Sequence, residues 1–169
     1  MSRFLLLLRH AKSAWDTETA TDFARPLNKR GERDAPRMGR WLRQQGLLPD
    51  YVVSSPAERA KQTALKVCHA LALEDERLHW EPRIYEAPLG DLLQVLAACP
   101  ETARTVLLVG HNPGLELLLR YLCEAAPTPA DGKLLPTATV AQLVMPDDWR
   151  QLTPHCARLL AITRPVSLP

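Results

Sequence analysis

Five consecutive apolar residues, Phe4 to Leu8, run without a break into Arg9 and His10. A short run with no polar alternation reads as a strand buried on both faces, as in parallel sheets covered by helices on either side. Such a strand delivers the residues at its end to the carboxyl edge of the sheet, where open α/β folds hold their ligands. The stretch TVLLV, Thr105 to Val109, has the same character and leads into Gly110-His111-Asn112-Pro113-Gly114. A histidine therefore stands just past each of two strands.

The rest of the chain supplies the helices that such strands need. The first strand is expected over Arg3 to Leu8, followed by a polar loop carrying Lys12 to Arg25. A helix is predicted from Asn28, a good N-cap residue, to Gln45, with Gly46 as its stop and a kink or restart at Pro36. Tyr51 to Val53 reads as a short buried strand. It leads into SSPAERAKQTALKVCHALAL, where Ser55 and Glu58 have capping-box spacing, Pro56 suits the first helical position, and Arg59 falls in the first turn. Leu78 to Tyr85 is expected to be extended, Asp91 to Ala98 and Pro113 to Cys123 helical, and Glu124 to Pro136 a loop. Two late strands, Ala138 to Met145 and Arg158 to Thr163, are joined by a loop too short for a crossover helix and are expected to pair antiparallel. The alternation implies a three-layer α/β sandwich: a mostly parallel central sheet with helices on both faces.

The chain has 169 residues, enough for one domain with a full core. It is 46% hydrophobic and 24% charged, with a net charge of +2, so composition gives no reason to expect a nucleic-acid or membrane partner. The N-terminal apolar run is too short for a signal-peptide core or a membrane span, which reads as a cytoplasmic protein. Cys68, Cys99, Cys123 and Cys156 are widely spaced, without CxxC or Cys-His ligand spacing. Buried free thiols are expected and no metal site or cofactor is.

Arg9 beside His10 suits one kind of chemistry, in which the guanidinium clamps an anionic oxygen while the imidazole attacks or shuttles a proton. A histidine nucleophile needs one ring nitrogen free and the other holding its proton against an acceptor. Arg59 opposes the helix dipole in its first turn, a placement that an anion bound there would justify. Arg9, His10, Arg59 and His111 are thus expected around one multiply charged tetrahedral group. Ser13 is a candidate ligand of its oxygens, with a loop hydroxyl bonded to backbone as the alternative, and Lys12 could add charge near the mouth. Candidates for a general acid are Glu86, Asp16 and Asp22, although Asp22 and Arg25 could simply pair to fix the loop. Arg30, Arg33, Arg37 and Arg40 make a basic stripe on the first helix, read as a solvated face or as a docking strip for an acidic partner.

The segments RHAKSAWD, RPLNKRG, DAPRMGRWL, SSPAERAKQTA and GHNPGLE together resemble the histidine phosphatase superfamily, also called phosphoglycerate-mutase-like, and within it the SixA-type phosphohistidine phosphatase branch. The resemblance spans residues 3 to 164. It implies a phosphoglycerate-mutase-like fold in one domain, residues 1 to 169, without a cap insertion. It also implies that His10 accepts the phosphoryl group as a covalent phosphohistidine in a pocket of Arg9, Arg59 and His111. Ala11 stands where much of the wider superfamily has Gly, as is frequent in the small branch. Glu86 lies at a strand-to-loop transition, where the wider family often places its acid. The expected activity is a metal-independent phosphatase that removes phosphate from phosphohistidine on a protein. The alternatives are a small-molecule phosphomonoesterase of the same chemistry and a non-catalytic phosphate-binding module. The partner is accordingly a phosphorylated protein or a small phosphorylated substrate.

Overall fold

The computed structural model describes residues 2–16, 18, 21–124 and 128–169. Parts of the loops expected over Lys12–Arg25 and Glu124–Pro136 therefore lie outside the described residues. Six strands form one sheet: β1 (Arg3–Arg9), β2 (Tyr51–Ser54), β3 (Leu78–Trp80), β4 (Thr105–Gly110), β5 (Val140–Met145) and β6 (Arg158–Thr163), in the order β3-β2-β4-β1-β5-β6. The pairs β3/β2, β2/β4 and β4/β1 are parallel; β1/β5 and β5/β6 are antiparallel. The helices are α1 (Lys29–Gln44), α2 (Glu58–Ala70), α3 (Leu89–Ala97) and α4 (Gly114–Leu122).

The two apolar runs explain the layers. Because side chains alternate across a strand, Leu5 and Leu7 of β1 join Val106 and Leu108 of β4 in a core with α3 and α4. Leu6 and Leu8 join Leu107 and Val109 in a second core with α1 and α2. All eight residues are fully buried. The expected three-layer sandwich with a mostly parallel sheet is what the chain forms.

Asn28 caps α1 as its type suggests, accepting from the Gly31 N–H at 2.9 Å. Pro36 does not restart the helix: α1 is one continuous element across it. The expected extended segment Leu78–Tyr85 is shorter than its composition suggests. Only Leu78–Trp80 is strand, and Pro82–Ile84 is a 3₁₀ turn whose Arg83 N–H is taken by the Glu81 side chain. Pro82 has no N–H to give a ladder. Ser55 is not the N-cap of α2; Ala57 is, and the Ser55 hydroxyl is engaged elsewhere. Two glycines set the docking of α1. A Cβ on Gly31 would collide with the Lys12 carbonyl oxygen, and one on Gly39 would lie 2.7 Å from Ala70 Cβ and 2.9 Å from the Val67 carbonyl oxygen. The cysteine thiols are free; Cys68, Cys99 and Cys123 are buried and Cys156 half-buried.

Candidate active site

Parallel pairing aligns the carboxyl ends of β1, β4 and β2, because Arg9 is in register with Gly110 and Ser54 with Val109. The residues that follow each strand therefore meet at one sheet edge. His10 continues β1, and its N–H donates to the Gly110 carbonyl at 3.0 Å. His111 continues β4, and the two imidazole centroids are 5.2 Å apart. Ser55 follows β2, and Arg59 stands on the first turn of α2 beyond it. His10 is 6% exposed, Arg59 6% and His111 9%.

The His10 ring is held by a short bond: Nδ1 lies 2.7 Å from the Ala11 carbonyl oxygen. A carbonyl only accepts, so Nδ1 carries the proton and Nε2 keeps its lone pair. Burial, reinforced by His111, Arg9 and Arg59, pushes the imidazole down to about 3, so it is neutral near pH 7. Burial likewise brings His111 down to about 4, with Arg59 adding to the effect. The Ala11 N–H donates to Thr63 Oγ1 at 2.9 Å, and Thr63 Oγ1 donates to the Arg59 carbonyl at 2.7 Å. This relay ties the loop after His10 to the turn that carries Arg59.

His111 Nε2 lies 2.8 Å from Ser55 Oγ, which also accepts from the Ala57 N–H at 3.2 Å. With its oxygen accepting from Ala57, the Ser55 hydroxyl has its proton to give to Nε2. In that arrangement His111 carries its proton on Nδ1, which is then a donor. His111 Nδ1, Arg9 Nε and Arg59 Nε are buried and have no hydrogen-bond partner among the described residues. Buried polar atoms left unpaired at one sheet edge are costly, and a bound anion or ordered water would satisfy them.

Asp22 grips Arg59 twice, through its carbonyl to Nη1 at 2.8 Å and its carboxylate to Nη2 at 3.0 Å. The same carboxylate pairs with Arg25 at 3.0 Å and accepts from Tyr85 Oη at 2.7 Å. The Tyr85 hydroxyl and the two guanidinium groups hold the Asp22 carboxyl well below the usual carboxylate range. These partners favour its ionised form. Asp16 lies with Ser13 and Trp15 along a neighbouring recess rather than in this cleft. Ser13 is buried in the loop and its hydroxyl accepts from Arg25 Nη1. Glu86 lines the cleft of about 510 Å³ that also holds Arg59, Tyr85, His111, Pro88 and Leu117. It is exposed, and its φ of 53° is in the left-handed region that a side chain with a Cβ seldom adopts.

Arg9 is aimed by a second network. Its Nη1 donates to the Leu135 carbonyl at 3.2 Å, which also receives Asn112 Nδ2 at 2.8 Å. Glu116 Oε2 accepts from the Leu135 N–H at 3.0 Å and from Asn112 Nδ2 at 3.2 Å. Sequence reasoning singles out neither Glu116, Asn112, Thr63 nor Tyr85. Thr63 has a visible signal, four residues after Arg59 and so on the same helix face; the others depend on contacts distant in sequence. The basic stripe divides: Arg30, Arg33 and Arg37 all face the buried Asp34, at 3.4, 3.6 and 3.3 Å. Arg37 also binds the carbonyls of Pro165 and Leu168.

Among the described residues no group of three or more His, Cys, Asp or Glu side chains is placed to hold a metal ion. Among the same residues no helix is long and apolar enough to cross a membrane.

The sheet edge thus gathers two arginines and two histidines around one imidazole with a free nitrogen, an arrangement chemically suited to an anion. Residues 5–98 match the model of the histidine phosphatase superfamily (branch 1), and the chain belongs to that superfamily. A relative from Mycobacterium tuberculosis, itself uncharacterized, is 32% identical and covers 94% of this chain and 99% of its own. Two solved structures are similar over nearly the whole length, each described as a candidate phosphohistidine phosphatase SixA. The one from Nakamurella multipartitia is 28% identical, with a TM-score of 0.84, covering 99% of this chain and 98% of that one. The one from Agrobacterium tumefaciens is 26% identical, with a TM-score of 0.75, covering 97% and 99%.

Proposed function

We propose that the protein is a metal-independent phosphatase, working as one domain, that removes phosphate from phosphohistidine on a protein through a covalent intermediate on His10. The observation that carries the reading is the Nδ1 bond of His10 to the Ala11 carbonyl, which leaves Nε2 unprotonated among Arg9, Arg59 and His111. Nε2 attacks phosphorus in line, forming an N–P bond as the bond to the leaving group breaks. Arg9, Arg59 and His111 Nδ1–H neutralise the charge spread over the phosphoryl oxygens. Glu86, at the cleft wall, supplies a proton to the departing atom. Water then attacks phosphorus as it gives a proton to the Glu86 carboxylate, and the N–P bond breaks, releasing inorganic phosphate and restoring both His10 and Glu86. Two things favour a phosphohistidine substrate: the similarity to the two SixA-described structures, and an open cleft with the apolar walls Tyr85, Pro88 and Leu117. An imidazole that leaves already protonated asks little of Glu86, whereas an alkoxide needs its proton in the transition state.

The test is quenching in alkaline detergent after brief exposure to labelled para-nitrophenyl phosphate, in the presence of EDTA. Wild type carries acid-labile, base-stable label; His10→Ala folds and carries none. Parallel assays compare a phosphohistidine protein with sugar phosphates and nucleotides. Label retained in His10→Ala removes the mechanism, loss of activity in EDTA removes metal independence, and preference for a small phosphomonoester transfers the enzyme to small-molecule chemistry.

A further inference from the structure

Arg9 also borders a second recess, of about 320 Å³, which shares none of the lining residues of the Glu86 cleft. Four cations line it, Arg9, Lys12, Arg30 and Lys133, against one carboxylate, Glu116. The Glu116 carboxylate is already committed to the Leu135 N–H and Asn112. Lys12 and Lys133 form no ion pair among the described residues, and Arg30 reaches Asp34 only at 3.4 Å.

The cations are brought together by the fold. The Lys12 carbonyl accepts the Asn28 N–H at 3.0 Å, and the missing Cβ of Gly31 lets the first turn of α1 close on Lys12, which places Arg30 beside it. The backbone of Lys133 is pinned on both sides: its N–H donates to Asp131 at 3.0 Å and its carbonyl accepts from Arg164 at 2.6 Å. Arg164 in turn pairs with Asp131 at 2.7 Å. Like charges concentrated around a concave surface raise the local potential and attract a complementary anion. The Glu86 cleft is less basic, with Asp22 and Glu86 against Arg59 and with apolar walls. A second negative group on the substrate therefore has its favourable place on the Arg9 side.

We propose that this recess binds acidic side chains flanking the phosphorylated residue of a protein substrate, so that Arg9 joins the phosphoryl site to a subsite for sequence recognition. The proposal rests on the protein-substrate reading above. It is tested by inhibition of para-nitrophenyl phosphate turnover with two peptides that carry a non-hydrolysable phosphohistidine analogue, one flanked by Glu and one by Ala. An exposed ion pair is worth up to about 1 kcal/mol, or about fivefold. The acidic peptide should inhibit wild type about fivefold better, with the margin shrinking as salt rises. Lys133→Glu should abolish the margin while leaving KM and kcat for para-nitrophenyl phosphate unchanged, since its backbone does the anchoring and its side chain is exposed. Arg30→Ala should reduce the margin independently. Equal inhibition of wild type by the two peptides overturns the subsite and leaves the protein-substrate reading standing. Inhibition by inorganic phosphate but by neither peptide overturns both.

Discussion

On the proposed mechanism Asp22 and an incoming phosphoryl group make the same demand on Arg59, and the two sides of that competition can be separated by mutation. Asp22→Asn keeps the shape but removes the charge that balances Arg25 and Arg59. Less stability is expected without ligand, because the cations then repel unopposed, and tighter binding of tungstate or inorganic phosphate by about fivefold, on the scale of one partly exposed ion pair. Thermal melts and inhibition constants read the two effects, and weaker anion binding would mean that Asp22 acts only by orienting Arg59. Arg59→Ala should lower turnover by about 10²–10³, the usual loss when a preorganised charge-stabilising donor is removed. Arg9, His10, Arg59 and His111 are legible in the sequence because Arg9 ends a strand, His10 and His111 each follow one and Arg59 opens a helix, and the motif resemblance names the same four. Their partners are not. Asp22 meets Arg59 37 residues on and Tyr85 63 residues on, and no periodicity links such positions. The capping-box spacing of Ser55 and Glu58 even suggests the wrong role, since the Ser55 hydroxyl serves His111.

Strands and helices are legible where burial is symmetrical or a cap is strong. The alternation of Leu5 to Leu8 between two cores and the Asn28 cap of α1 are the clearest cases. Segment 78–85 is not, because a few apolar residues on an edge strand look the same whether they continue as ladder or turn. Close approach between elements is equally invisible in composition, and it separates two glycines of similar local appearance. Gly31→Ala drives a Cβ into the backbone oxygen of Lys12, so overpacking should destabilise the fold by about 1–3 kcal/mol. Gly90, in the first turn of α3, has nothing within 4 Å of its would-be Cβ. Gly90→Ala should stabilise by about 0.5–1 kcal/mol through helix propensity. Urea denaturation of the two variants should move the midpoint in opposite directions; a neutral Gly31→Ala would mean that α1 is not seated on the loop.

For the molecule as a whole, the two buried imidazoles set an acid limit. The unfolded chain takes up protons near pH 6.5, while folded His10 and His111 refuse them down to about 3 and about 4. More protons on the unfolded state means that stability falls with pH across that window, at up to about 1.4 kcal/mol per pH unit per histidine, and is unaffected by these groups above it. Urea midpoints at pH 7.5, 6 and 5 should decline, and saturating inorganic phosphate should both raise and flatten them by favouring the imidazolium forms. A profile flat from pH 7.5 to 5 without ligand would mean that the rings are open to water. The position of β1 has a consequence of another kind, for biosynthesis. It is translated before every other strand of the sheet, yet its sheet neighbours are β4 and β5, with Phe4 in register with Thr105 and Arg3 with Met145. At about 5–20 residues per second, the Phe4–Leu8 run waits several seconds or more on the ribosome with neither partner available. Nascent chains of this protein thus hold an uncovered greasy segment directly beside Arg9 and His10 until β5 has emerged, the kind of segment that a holdase chaperone covers.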